Sequence, residues 1–227
     1  ELGQKLQLSF DDIIGNEADY FYTIEHFNFD WTPSDLSKGE YLDGFDDVRI
    51  ETYENSFNTL QLYSNYKLSI PNRETRAIKK SGNYLLRIFN DDAEIVFSRK
   101  FMVLERVLSV EVEIKRSRII KNIDQQQVVQ FKINSPNLLL INPKQNVKTL
   151  VLQNNNLKTA ITNLKPLYTI GSELIYKYDQ EAAFWGGNEF LFFDNKDLRS
   201  STNGVRYVEL NELYENFLFT NIDRSTR

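Results

Sequence analysis

Apolar residues recur at alternate positions in short runs along most of the chain. KLQLSF (5–10), DYFYTIEHF (19–27), VRIETYE (48–54), LQLYSNYKLSI (60–70), NYLLRIF (83–89) and EIVFSRKFMVLE (94–105) each read as a strand with one face apolar. The segments between them, DDIIGNEA, WTPSDLSKGE, PNRETRAIKKSG and NDD, carry turn residues. Short strands separated by turns, with no helical pattern of about 12 residues between them, predict a β-sandwich.

A second set follows. SVEVEIKRSR (109–118), QQVVQFKIN (126–134), KTLVLQNN (148–155), SELIYKYD (172–179), NEFLFFD (188–194) and VRYVEL (205–210) are again strand-like, and ELYENFLFTNIDR at the end reads as a last strand. The expected fold is therefore all-β: two tandem immunoglobulin-like or fibronectin-like β-sandwich domains, residues 1–107 and 108–227. No Pro/Gly-rich linker lies at Glu105–Leu108, so the two are expected to join directly.

Composition narrows the function classes. Hydrophobic residues make up 41% and charged residues 26% of the 227 positions, as in an ordinary globular protein. The 16 Phe and 12 Tyr favour strands. A net charge of −5 and a pI near 5.1 lack the basic footprint of a nucleic-acid binder. No apolar run reaches the roughly 18 residues of a membrane-spanning helix. The chain begins at Glu1, as a mature or trimmed chain would, which is compatible with an export signal already removed. With no cysteine, thiolate metal sites, cysteine nucleophiles and disulfides are out. Residues 1–107 carry 12 Lys and Arg against 19 Asp and Glu, a net of −7, and the remainder is net +2.

The stretch EHFNFDWTPSDL (25–36) holds the lone histidine, His26, together with Trp31, Asp30 and Asp35. Such a grouping suits a catalytic pair, half of a metal site, a sugar platform, or a strand running into a turn. Period two puts His26 and Asp30 on one strand face, and no G-x-S-x-G elbow exists to complete a triad. A hydrogen-bonded structural role for His26 is the reading preferred, with Trp31 capping the sandwich core. Truncating Trp31 would then cost about 3 kcal/mol or more. Gly186-Gly187 lacks the strand–turn–helix setting of a dinucleotide site. Trp31 and Trp185 lie at turns, where an indole can stack on a sugar or sit half-buried. The acidic run EYLDGFDDVRIETYE is a solvated loop, a patch that steers a partner, or a calcium site without EF-hand spacing. No cofactor is expected.

Taken in order, LSFDDI (8–13), the Tyr20–Ser34 run, EYLDGF (40–45), NSFNTLQLYSNYKLSIPN (55–72), SGNYLLRIF (81–89), SRKFMVLE (98–105), INPKQNVKTLVLQNN (141–155), ELIYKYD (173–179) and FWGGNEFLFFD (184–194) resemble the type IX secretion system plug protein family. Phe27 stands where the family commonly has Cys, and Leu191 where it usually has Arg. Family members are longer, so this chain is expected to be the N-terminal part of one. The resemblance implies a non-enzymatic, periplasmic protein. It would associate with the large outer-membrane β-barrel translocon of the type IX system and close it by steric occlusion. Candidate contacts are Trp185, Asn188 and Glu189 of the GGNEF turn, and Asp43, Asp46 and Asp47 of the acidic loop. Two other readings are a carbohydrate-binding or adhesion module, and an accessory domain of an enzyme whose active site lies beyond Arg227.

Overall fold

In the computed structural model, which describes residues 1–186, 192–197, 201 and 204–221, most of the alternating runs form strands. Residues 1–105 supply β1 (Leu6–Asp12), β2 (Phe21–Phe27), α1 (Lys38–Tyr41), β3 (Leu42–Gly44), β4 (Val48–Arg49), β5 (Tyr53–Asn55), β6 (Ser64–Ile70), β7 (Thr75–Ile78), β8 (Gly82–Phe89) and β9 (Ile95–Val103). One sheet has the order β1-β6-β5 and a second β4-β2-β8-β9, with β3 and β7 as a separate pair. All the pairings are antiparallel.

Alternation decides what each strand buries. On β2, Tyr22 and Ile24 face inward beside Leu86 and Ile88 of β8, and Tyr66 and Leu68 of β6 face them from the other sheet. Four of the buried side chains in this cluster are tyrosines, and each of their hydroxyls is satisfied as burial of a phenol demands. Tyr41 donates to the Ile24 carbonyl at 3.2 Å, Tyr66 to Ala18 at 2.6 Å, and Tyr84 to Lys80 at 2.7 Å. The Tyr22 hydroxyl accepts from Asn72 Nδ2 at 2.9 Å and lies 2.7 Å from Thr75 Oγ1, which in turn donates to the Phe45 carbonyl. The core thus ties loops to strands through directional bonds as well as apolar contact.

Two expected strands change shape. The run 48–54 splits: Val48–Arg49 pairs with β2 in one sheet, and Tyr53–Asn55 pairs with β6 in the other. Ile50 is buried at the crossover, its N–H donating to the Tyr20 carbonyl at 2.7 Å. A chain that changes sheets cannot keep one period-two face. The run 60–70 begins only at Ser64, because Leu60 and Leu62 project into solvent.

The rest of the chain adds β10 (Ser109–Arg116), β11 (Gln126–Asn134), α2 (Pro143–Asn146), β12 (Leu150–Val151), β13 (Ile161–Thr162), β14 (Tyr168–Ile170), β15 (Glu173–Tyr176), β16 (Ala183–Trp185), β17 (Val205–Leu210) and β18 (Tyr214–Leu218). By its internal contacts the chain divides into two units, Glu1–Glu113 with Gln130–Lys177, and Ile114–Val129 with Tyr178–Arg227. In the first, Phe131 and Tyr176 stack with centroids 4.3 Å apart across β11 and β15. In the second, Gln126–Val128 pair with β16, and β17 and β18 form a hairpin. The protein is all-β, its two described α-helices being single turns of four residues each. No described helix is long and apolar enough to cross a membrane.

Candidate functional site

His26 lies near the end of β2, held at both ring nitrogens. Nε2 is 3.2 Å from the Ser81 carbonyl, which only accepts, so Nε2 carries the proton. Nδ1, 2.8 Å from Ser34 Oγ, then accepts from that hydroxyl. The Tyr84 ring meets the imidazole edge-to-face at 4.9 Å and Tyr41 lies at 5.7 Å. Gly82, with φ of +141°, stands directly against the ring, where a Cβ would collide with Nε2. Its carbonyl and hydroxyl partners make this histidine a clamp between the 28–34 turn and the start of β8. No carboxylate pairs with it among the described residues.

The strand stops at Phe27, so period two does not carry Asp30 onto the His26 face. Asp30 instead caps the turn, accepting from the Thr32 hydroxyl at 2.6 Å and its N–H at 3.1 Å, and these bonds hold its carboxyl below the usual range. Trp31, at φ +64°, reverses the chain. Its half-buried indole comes to lie near Phe27, with Lys100 Nζ 4.2 Å above the ring. Phe27 and Lys100 belong to the outer face of the sheet, as the register Glu25↔Leu85↔Lys100 requires. Trp31 therefore does not cap the core as expected. The left-handed turn residue sends it to the opposite face.

The acidic loop is tied inward. The Asp46 side chain is 2% exposed; it accepts the Ile24 N–H at 2.6 Å and pairs with Lys38 at 2.5 Å. Asp43 pairs with Arg76 at 2.7 Å across β3 and β7. Asp47 takes a positive φ and donates its N–H to the Tyr22 carbonyl at 2.7 Å. With the Tyr41 hydroxyl on the Ile24 carbonyl, the Ser34 N–H on the His26 carbonyl at 3.2 Å and a bridge from Phe27 to Pro33, these groups close the edge of β2 that β4 leaves bare. Sequence alternation does not reveal such a seal, because its members lie up to about 25 positions from the strand they cover.

Trp185, 60% exposed, pairs with Gln126 at the end of β16. Asn188 and Glu189 lie outside the described residues. The opposite edge of the β4-β2-β8-β9 sheet gave no signal as a site. There β9 has no strand on its outer side among the described residues, with Ile95, Val96, Met102 and Leu104 exposed around the consecutive cations Arg99 and Lys100. The hint lay in EIVFSRKFMVLE, which is apolar on both faces except at its middle. A groove of about 680 Å³ is lined by Lys5, Arg49, Lys67, Arg73, Glu51 and Glu74, which mix both charges. No cluster of three or more metal-ligating side chains occurs among the described residues.

Comparison with known proteins follows the same residues. The model for the type 9 secretion system plug protein 1st domain matches residues 1–105. The crystal structure of a hypothetical protein from Parabacteroides merdae ATCC 43184 is similar to this chain, with a TM-score of 0.86 and 32% sequence identity. The match covers 97% of this chain and 56% of that one, so the chain spans little more than half the length of that relative. No curated protein matches. Residues 1–105, which contain both sheets and the clamp at His26, are thus similar to the first domain of the type 9 secretion system plug proteins.

Proposed function

We propose that this protein is a periplasmic subunit of the type IX secretion system that closes the large outer-membrane β-barrel translocon by steric occlusion when no cargo passes. The observation that carries the reading is the match of residues 1–105 to the first domain of the plug proteins. The structure is compatible with it. Tyrosine hydroxyls, a sealed β2 edge and the His26 clamp stiffen the first unit, and a blocking element works by keeping its shape rather than by reacting. Affinity for the barrel would come from a few aromatic anchors, Trp185 among the candidates. Asp46 is buried in its pair with Lys38, whereas Asp43, 47% exposed in its pair with Arg76, Asp47 and the exposed Phe45 are the loop's outward groups.

The test is affinity purification of the tagged protein from its native bacterium in mild detergent, with mass spectrometry of its companions. Recovery of the outer-membrane barrel in stoichiometric amount is the expected result. Recovery of no membrane protein from cells that hold an idle translocon would overturn the reading.

A further inference from the structure

We propose that the free edge of β9 receives an extended strand of a partner polypeptide, one that carries carboxylates opposite Arg99 and Lys100 and apolar side chains opposite Phe97 and Phe101. β9 is nine residues long and ends its sheet, so one side of its backbone has no strand partner among the described residues. β1, the end strand of the facing sheet, lies on the same side of the sandwich, since Phe10 touches Phe97 with centroids 5.1 Å apart. Between these two edges Leu6, Leu8, Phe10, Phe97, Phe101 and Val103 are only partly buried. A strand added to β9 would cover that row with every second side chain.

Charge selects the occupant. Residues 1–107 carry a net charge of −7, yet Arg99 and Lys100 are consecutive on this edge, directed to opposite faces of the sheet, and no ion pair of theirs occurs among the described residues. Arg99 lies over the Phe97 ring at 5.0 Å and donates to the Ser98 carbonyl, and Lys100 lies over Trp31. Cations at the middle of an edge strand discourage indiscriminate pairing. The same two cations admit a strand that brings carboxylates to them, so one device repels neutral or basic strands and accepts an acidic one. The opposite edge of the same sheet is closed by the acidic loop, which leaves β9 as the side where addition is open.

This inference does not rest on the plug reading, and the two tests can fail separately. The probe is a fluorescein-labelled synthetic peptide of alternating valine and threonine around a central Asp-Glu pair, titrated with the whole 227-residue chain and read by anisotropy. Saturable binding is expected, weakened about tenfold or more by the double substitution R99E/K100E and regained by that variant with a Lys-Lys peptide. N-methylation of the peptide backbone at alternate residues on one edge should abolish binding, because it removes strand hydrogen bonds and leaves charge intact. Both substituted positions are exposed, so an unchanged melting temperature is expected of the variant. If it misfolds, the N-methylated peptide decides alone. Binding that survives N-methylation on either edge, or no binding below about 1 mM, would overturn the proposal. So would dimerisation of the chain that the peptide competes away, since that assigns the edge to a second copy.

Discussion

The contact between Gly82 and His26 allows a perturbation whose size follows from the geometry. Gly82→Ala forces an L side chain to φ +141° and drives its Cβ into Nε2 of an imidazole that two hydrogen bonds hold in place, with Cδ2 and Cε1 each only 3.2 Å away. The backbone strain is worth about 1–3 kcal/mol. The overpacking adds about 1–3 kcal/mol more, because the ring cannot move without releasing Ser34 or Ser81. A loss of about 4 kcal/mol is expected, roughly 10 °C in melting temperature for a domain of this size. His26→Ala removes both hydrogen bonds and part of a half-buried ring, at about 2 kcal/mol. In the double variant the collision is gone but the strain remains, so its loss should fall about 2 kcal/mol short of the sum of the single losses. Urea unfolding followed by tryptophan fluorescence and circular dichroism measures all three. If the losses add to within about 0.5 kcal/mol, the ring does not fix the glycine, and the clamp is refuted.

Three further outcomes follow from other contacts. Asp46→Ala strands the Ile24 N–H, on a residue with 0% exposure, and removes the partner of Lys38; about 3 kcal/mol should be lost in urea unfolding, and a loss under about 1 kcal/mol would mean that the edge seal is dispensable. Trp31→Ala forfeits a half-buried indole and its cation–π contact, so about 1–2 kcal/mol is expected, less than a core cap would cost; a loss near 4 kcal/mol would return the indole to the core. Burial, followed by the hydrogen bond to Asp12, pushes the Tyr20 hydroxyl up to about 12, and burial also raises Tyr41, Tyr66 and Tyr84. A phenol raised above its unfolded value of about 10 contributes stability that is present below pH 10 and lost as pH climbs toward the folded value. The urea midpoint should therefore fall between about pH 10 and 12, and less steeply in Tyr20→Phe; identical profiles for the two proteins would refute the assignment.

Strands that keep one face against a core for seven or more residues were legible, among them β1, β2, β6, β8 and β11, since burial imposes period two on them directly. Pairings such as Leu42↔Ile78 were not, because two short strands inside turn-rich sequence gain their partners only through the fold. Crossovers were hidden for the same reason: Ile50 is as apolar in a continuous strand as at a change of sheet. Of the candidate site, the place of the single histidine in a strand was readable, while its two ring partners, Ser34 and Ser81, needed coordinates. The positive φ of Trp31, the inward tie of Asp46 and the surface pair of Asp43 with Arg76 needed coordinates, since no composition or spacing tells a free carboxylate from one that has found a lysine eight positions away.

The two edges of the β4-β2-β8-β9 sheet receive opposite treatment, and the difference bears on function. Along β2, the backbone groups left by β4 are met by Asp46, Asp47, Tyr41, Ser34 and Pro33, drawn from a loop with its own buried anchors. Closing an edge this way takes many residues and is the common defence against unwanted pairing. Along β9 the guard among the described residues is a pair of cations resting on aromatic rings, each free to leave its ring for a carboxylate at little cost, because exposed cation–π contacts are worth about 0.5–1 kcal/mol. A seal of the β2 kind excludes every strand, whereas a charged guard excludes all but the complementary one. Under the proposed occlusion of the translocon, the protein would have to bind when the channel is idle and leave when cargo arrives. The strand-accepting edge proposed above, controlled by two surface charges, would give such a contact a strength that a competing acidic segment can displace.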